Sequence, residues 1–195
     1  MRSLLSILLL GIASLCYSQT RHLTMEGNHS SIGFSVDIAG GITKVTGKFL
    51  KHDLKLTLVD GDWTKSNIEL QIDVSSIDTG IKDRDDHLRT ADFFDVENHP
   101  TIDFFSKTIV STGEHTYVAK GDFTMHGVTR EIEVPFTVTS SEGNTIGIKI
   151  EHYINRIDYG VAADFKHTSI ENFISENIAV NFYFWTKKDK RVSDN

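Results

Sequence analysis

The feature that most constrains this chain is a period-two alternation of apolar side chains, repeated along most of its length. The segments that carry it are 32–38, 54–58, 68–74, 102–104, 132–136, 146–150 and 178–184. Successive side chains of a strand point to opposite faces, so this period predicts strands with one buried face. About eight such strands joined by short turns are typical of an antiparallel barrel or sandwich. No helical pattern follows each strand, which argues against a parallel α/β fold.

Two dipeptides that contain glycine predict tight turns between these strands. His126-Gly127 lies between two β-rich runs, and Gly143-Asn144 marks the next reversal of the chain. Glycine adopts positive φ without steric cost, as short hairpin turns require. Both pairs therefore predict antiparallel hairpins.

The N-terminus predicts export. Arg2 is followed by an apolar run over 4–15 and by the small residues Cys16 and Ser18. This is the pattern of a secretory signal cleaved after Ser18, and the run is shorter than the roughly 20 residues that span a bilayer. We expect a periplasmic or secreted protein with no transmembrane segment after cleavage. A lipoprotein signal acylated at Cys16 is the alternative, disfavoured by the bulky Leu15.

Cleavage would leave one domain over 19–186 and a loose polar tail over 187–195. Cys16 is the only cysteine in the chain, so the mature protein would have no thiol and no disulfide. The formal net charge of −7 argues against nucleic acid as a partner, since binding phosphates needs clustered Lys and Arg. Stability must come from the apolar core alone.

One segment breaks the strand pattern and predicts a short helix near residues 83–91. Asp83 is the predicted N-cap, and Asp85 and Asp86 suit the positive end of a helix. Leu88 and the following Phe93 would give the helix one apolar face. We expect this helix to cover one opening of the barrel.

Several ordered motifs resemble those of the YceI-like family. They are Asn28-His29-Ser30-Ser31-Ile32-Gly33-Phe34, Ser76-Ile77-Asp78-Thr79-Gly80, Arg84-Asp85 with His87-Leu88, Asp92-Phe93-Phe94-Asp95, His99-Pro100, Gly121 to Thr129 and Asn155-Arg156-Ile157-Asp158-Tyr159-Gly160. The resemblance implies a lipocalin-like fold, an extended eight-stranded antiparallel β-barrel that holds a polyisoprenoid or another long-chain amphiphile.

The aromatic residues can serve such a barrel in two ways. The chain has 12 Phe and 5 Tyr, and an eight-stranded barrel is just wide enough to fill itself or to hold one ligand. The side chains expected to line a ligand cavity are Phe34, Phe49, Phe93, Phe94, Phe104, Phe123, Phe136, Tyr159 and Phe182. A closed core built from the same residues is the alternative.

Three cationic or titratable residues are candidates for a headgroup site at the barrel mouth. Arg84 and His87 belong to the predicted lid, and Arg156 belongs to the Asn155–Gly160 motif. Guanidinium groups bind anionic headgroups well. The alternative is structural, with Arg84 paired to Asp85 or Asp158 and Arg156 paired to Asp158.

Nothing in the sequence predicts a metal, a cofactor or catalysis. The nine histidines show no zinc-helix or His-x-His spacing, so a metal site would have to be assembled from distant residues. His29-Ser30 with Asp85 could be imagined as a catalytic triad, but no Gly-x-Ser-x-Gly elbow is present.

The sequence therefore favours a non-catalytic carrier that sequesters or transports an isoprenoid quinone, a prenyl phosphate or a fatty acid or amide. Two alternatives stay open, namely an enzyme or stress factor that acts on a bound amphiphile, and a protein-binding barrel with a closed core. A homodimer is a further option for the assembly.

Overall fold

The computed structural model describes residues 18–192, so the signal-peptide prediction falls almost wholly outside the described residues. The strands are β1 (Thr20–Met25), β2 (Ser31–Ile38), β3 (Thr43–Phe49), β4 (His52–Val59), β5 (Asp62–Asp73), β6 (Ile77–Asp78), β7 (Thr101–Ser111), β8 (Thr116–Met125), β9 (Val128–Glu142), β10 (Thr145–Asn155) and β11 (Ile174–Lys188). One α-helix, α1 (Lys82–Leu88), and three 3₁₀ turns (Gly27–His29, Val74–Ser76 and Arg156–Tyr159) complete the described chain.

The strands form one antiparallel sheet that closes on itself. Its order is β1-β4-β5-β7-β8-β9-β10-β11, and β11 pairs with β1 to complete an eight-stranded ring. β2 continues the line of β1 along β11, and β3 and β6 extend the sheet beyond it. The predicted closed eight-stranded antiparallel barrel is confirmed, with extra strands along one side. No helix in residues 18–192 has the length and apolar character needed to span a bilayer.

Both predicted hairpin turns are present. His126 and Gly127 join β8 to β9 with φ values of 51° and 75°, the double positive φ of a type I′ turn. Gly143, with φ of 57°, lies between the end of β9 and the start of β10. These turns set the register that points the alternating apolar side chains inward.

One end of the barrel, which we call the floor, is densely packed. Leu23, Leu56 and Leu58 are each 1% exposed. Above them the ring of Phe136 lies 5.2 Å from Trp63 and 5.3 Å from Tyr117, measured between centroids. Offset and tilted aromatic pairs at these distances add to the stabilisation from buried area. The floor therefore closes the barrel opposite the helix.

The helix at the other end, the lid end, is shorter than predicted and begins earlier. α1 runs from Lys82 to Leu88, and its N-cap is Ile81, which makes no side-chain capping bond, so the Asp83 prediction was wrong. Gly80, with φ of 78°, turns the chain just before the helix. At its C-terminus the Thr90 hydroxyl donates to the carbonyl of His87 at 2.8 Å, and this local bond replaces a further helical turn.

The polar C-terminal tail was also predicted to begin too early in the chain. Lys187 and Lys188 belong to β11, and Asp189 is only 4% exposed. Arg191 donates to Asp189 and, at 2.9 Å, to Asp53 on β4. These charge-assisted bonds fix the chain through residue 191, which a polar composition alone did not indicate.

Candidate functional site

A row of three cavities runs from the middle of the barrel to the lid end. The interior cavity has a volume of about 90 Å³, and the cavity beneath the lid has a volume of about 110 Å³. The third, at the mouth, has a volume of about 420 Å³. Their walls are mostly apolar, with charged side chains confined to the lid and mouth cavities, and apolar cavities of this kind take up hydrocarbon.

Phe34 lies at the junction of the three cavities, because its side chain lines all of them. The ring lies directly over Gly47 on the neighbouring β3, where an added Cβ would fall 2.4 Å from the ring. Phe49, 5.7 Å from Phe34 between ring centroids, borders the interior and lid cavities together with Ile102. Phe34 is therefore the side chain that all three cavities share.

Most of the aromatic residues that the sequence predicts as cavity lining do border the cavities. The predicted residues that border the interior cavity are Phe34, Phe49, Phe104, Phe123, Phe136 and Phe182. Phe93 and Phe94 border the cavity beneath the lid. Tyr159 is buried but borders none of the three cavities; it packs edge-on against Phe123 at 5.2 Å, and burial raises the pKa of its hydroxyl.

Arg84 and His87, two of the residues proposed from the sequence for a headgroup site, lie at the mouth. Both line the mouth cavity, and Lys44 of β3 joins them there. His87 contacts Asp92 at 3.5 Å between Nε2 and Oδ2. Lys44 lies 3.3 Å from Asp37. The mouth thus combines apolar walls with two cationic side chains and one imidazole.

The predicted ion pair of Arg84 is not formed. Arg84 donates from Nε to the hydroxyl of Thr79 at 2.7 Å and from Nη2 to the Thr79 carbonyl at 2.9 Å. The buried carboxylate of Asp85 accepts from the Thr79 N–H at 2.8 Å. Both side chains therefore meet at Thr79 instead of pairing, because this turn offers unpaired backbone groups beside the helix.

The guanidinium of Arg156 is held by backbone carbonyls of the chain that follows it. Its guanidinium donates four hydrogen bonds of 2.7–3.1 Å, to the carbonyls of Val161, Ala162, Ile174 and Ser175. A guanidinium has five N–H groups, so one is left for another partner. The predicted pair with Asp158 was wrong, since Asp158 contacts Arg130 at 3.4 Å. Burial lowers the pKa of Arg156.

The lid is tied to the barrel rim by Arg89. This side chain donates to the carbonyls of Ser75 and Ile77, each at 2.8 Å, and to Asp86 at 3.0 Å. Leu88, one residue earlier, packs against the core and lines the two outer cavities. The helix is therefore anchored at its C-terminal end and covers the mouth with its apolar face.

Sequence reasoning missed His152 among the lining residues. His152 borders the interior cavity from β10, in register with Ile150 and Ile154 on the same face. Burial lowers its pKa, which favours the neutral imidazole. The alternation of isoleucines along β10 continues through position 152, and that pattern could have placed the histidine inside.

The imagined triad is not assembled. The His29 ring lies against Trp185 at 4.4 Å, and the Ser30 hydroxyl accepts from the Trp185 N–H at 3.1 Å. Asp85 is bound to Thr79 within the lid. No hydrogen bond joins these three residues in the described part of the chain.

A closed eight-stranded antiparallel barrel with an apolar interior and a helix across its mouth defines the lipocalin-like class. Within that class the chain belongs to the YceI-like family, because residues 23–185 match the model of the YceI-like domain.

Similar proteins agree with this assignment. A UPF0312 protein of Vibrio cholerae is 33% identical over 109 residues, which cover 56% of this chain and 57% of that protein. The match thus spans little more than half of that relative's length. A UPF0312 protein of Pseudomonas savastanoi pv. phaseolicola is 29% identical over 166 residues, 80% of this chain and 86% of that protein.

Solved structures share the fold. BcnA of Burkholderia cenocepacia superimposes with a TM-score of 0.75 at 22% identity, covering 84% of this chain and 99% of that chain. A polyisoprenoid binding domain from Saccharophagus degradans, implicated in plant cell wall breakdown, gives a TM-score of 0.66 at 17% identity, covering 86% and 98%.

Proposed function

We propose that this protein binds a long-chain amphiphile without chemically changing it, with the tail inside the barrel and the polar head at the mouth. The observation that carries the proposal is the row of three apolar cavities that meet at Phe34. A polyisoprenoid is the preferred ligand, and the polyisoprenoid binding domain of Saccharophagus degradans, which shares this fold, supports that choice.

The cavity volumes define how a tail would enter. An apolar cavity of about 150 Å³ holds benzene, so the interior cavity of about 90 Å³ is too small for a long chain as it stands. A tail must displace the Phe34 ring and occupy the joined cavities. Each CH₂ removed from water contributes about 0.8 kcal/mol, which offsets the cost of moving one ring after a few carbons.

The mouth favours an anionic head. Arg84 and Lys44 bring two positive charges to a protein of net charge −7, and both border the mouth cavity. Arg84 uses two nitrogens on Thr79, and its third is free of hydrogen bonds to residues 18–192. A phosphate or carboxylate head would accept from this group, and we assign Arg156 to holding the rim.

Binding is proposed to occur outside the cytoplasm, after removal of residues 1–18, so that the protein carries its ligand across an aqueous compartment. Support comes from Gln19, whose backbone N–H donates to the Asp60 carboxylate at 2.7 Å. Cleavage after Ser18 would turn this N–H into a charged amino group beside that carboxylate. N-terminal sequencing of the exported protein should then begin at Gln19.

The ligand experiment compares a prenol with its phosphate. Lipid-free protein would be titrated with geranylgeraniol and with geranylgeranyl phosphate, using isothermal titration calorimetry and native mass spectrometry. Wild type should bind one molecule of each, the phosphate more tightly. Phe34→Trp should weaken both ligands about ten-fold or more, because the larger ring blocks the row of cavities.

Two variants separate tail from head. Arg84→Met keeps the apolar stem and removes the charge, so it should remove the preference for the phosphate while leaving the prenol unchanged. Tyr153→Ala, an exposed aromatic on β10, is the matched control and should bind as wild type does. Failure of wild type to bind either ligand, or wild-type binding by Phe34→Trp, contradicts the proposal. Consumption of the ligand would favour the enzymatic alternative.

A further inference from the structure

Three metal-ligating side chains come together at the lid end, outside the row of cavities. One ligand atom each from Asp95, His99 and His126 lies within 4.8 Å of the other two. Asp95 and His99 belong to the segment that follows α1, while His126 occupies the tip of the β8–β9 hairpin. The fold thus assembles two imidazoles and a carboxylate that are distant in sequence.

The His126 ring is oriented as in many metal sites. Its Nδ1 lies 3.1 Å from the backbone carbonyl of Tyr159, so Nδ1 carries the proton and donates. The lone pair is then on Nε2, the atom a metal would bind. A bond from the second nitrogen to a backbone carbonyl is the usual outer support of a metal-bound histidine.

His99 and Asp95 both keep lone pairs that a metal ion could use. Neither ring nitrogen of His99 has a hydrogen-bond partner in residues 18–192, and its ring lies 4.8 Å from that of His126. The Asp95 carboxylate accepts from the side-chain amide of Asn98 at 2.9 and 3.1 Å, which fixes its direction and leaves lone pairs on both oxygens.

Two backbone features make room for this arrangement. A Cβ at Gly127 would fall 2.6 Å from the His99 ring, so glycine at this position lets that ring approach the hairpin. Asp95 and His126 both adopt positive φ, 48° and 51°, a conformation uncommon outside glycine. Strained backbone of this kind is concentrated at functional sites.

We propose that Asp95, His99 and His126 bind one divalent transition-metal ion, with Zn²⁺ the reference case and water as a fourth ligand. Ligand atoms about 2.0–2.1 Å from a tetrahedral ion are about 3.3 Å apart, so side-chain rotation must draw the group in by about 1.5 Å at most. All three residues are half-buried, which leaves one side open to water.

The ion would tie three parts of the lid end together. It would join the segment after α1 to the β8–β9 hairpin and, through the His126 bond to the Tyr159 carbonyl, to the 3₁₀ turn Arg156–Tyr159. Asp95 directly follows Phe93 and Phe94, which line the cavity beneath the lid. The site therefore stabilises the wall of that cavity.

The test is a titration of tag-free, lipid-free, chelator-treated protein with Zn²⁺ against a chromophoric chelator, repeated with Co²⁺ to observe visible absorption bands. Wild type should bind one ion per chain. His99→Gln and His126→Gln should each weaken binding by about ten-fold or more and abolish the Co²⁺ bands. Zn²⁺ at a hundred-fold excess over Kd should raise the Tm of wild type by about 5–10 °C.

Two further variants keep the test decisive. Asp95→Asn preserves shape and folding while removing the anionic ligand, so it should bind more weakly even if a histidine variant is unstable. His115→Gln removes an exposed imidazole from the β7–β8 turn and should leave binding unchanged. The proposal is overturned if wild type binds no stoichiometric ion, or if Asp95→Asn and folded histidine variants bind as wild type does.

Discussion

The floor and the lid end of this barrel are held together by different physics. At the floor, side chains such as Leu23 and Leu58 are 1% exposed, and the ring of Phe136 packs against two other aromatic rings. At the lid end, Arg89 and Arg156 hold the chain by hydrogen bonds to backbone carbonyls, and two of the three cavities open between the side chains. Dense packing stabilises one end, while polar bonds hold the other around an apolar space.

Backbone strain follows the same division. Six non-glycine residues between 18 and 192 have positive φ, and of these only Asp60 lies at the floor. The others are at the lid end, and they are Ala39, Asp95, His126, Ala162 and Asn172. Positive φ costs of the order of 1 kcal/mol at such residues. The floor therefore supplies the stability that lets the lid end keep strained turns and cavities.

The largest expected effect contrasts Leu56 with Phe34. Leu56→Ala should lower the free energy of unfolding by about 2–5 kcal/mol, because it opens a cavity in the packed floor. Phe34→Ala should cost only about 1–2 kcal/mol, since the ring is half-buried and already borders cavities. Urea unfolding of both variants measures the difference.

The same two variants should rank in the opposite order when the measured effect is a change in ligand affinity. Phe34→Ala joins the cavities and should tighten binding of geranylgeraniol several-fold, whereas Leu56→Ala should leave the affinity unchanged in the folded protein. Equal losses of stability at the two positions would mean that the lid end is packed as tightly as the floor.

The next effect contrasts two arginines of the lid end. Arg156→Ala should lower the free energy of unfolding by about 2–4 kcal/mol, because it leaves four backbone carbonyls without their donor. Arg84→Ala removes two bonds to one residue and should cost about 1 kcal/mol. Thermal and urea unfolding of the purified variants would give both values.

Arg156→Lys is the control for charge. A lysine keeps the positive charge but not the planar fork, so it should recover less than half of the lost stability. Full recovery by lysine would show that charge at this position, and not the set of carbonyl bonds, holds the rim.

The barrel could be predicted from sequence because each strand carries its own signal. Alternating residues such as Ile68, Leu70 and Ile72 are buried together on one face of β5, as the period required. The turn at His126-Gly127 was equally local, since two positive φ values need a residue pair of that kind. Local patterns are strong predictors where one face of a strand is buried.

The lid end was less predictable because its bonds join residues to carbonyls far along the chain. Arg156 reaches Ile174 and Ser175, 18 and 19 residues away, and no side-chain pattern marks a carbonyl as an acceptor. The grouping of Asp95 with His126 likewise depends on how the lid segment meets the hairpin. Pairing rules for charges favoured Asp158 as a partner of Arg156, and they failed for this reason.

The smallest expected effect concerns pH and the barrel interior. Burial lowers the pKa of His152, which lines the interior cavity, and that of His52, below the ordinary value of 6.5. The unfolded chain then binds more protons than the folded one once the pH falls below about 6.5, so stability should fall as the pH falls. One histidine contributes at most about 1.4 kcal/mol per pH unit to this slope.

His152→Leu should therefore flatten the dependence of Tm on pH between the ordinary value of 6.5 and the lowered folded-state pKa, while the contribution of His52 remains. His115→Gln, on an exposed turn, should retain the wild-type slope. If His152→Leu also keeps the wild-type slope, water reaches this imidazole in the folded protein. The interior cavity would then be hydrated, and its apolar walls alone would not keep water from the barrel.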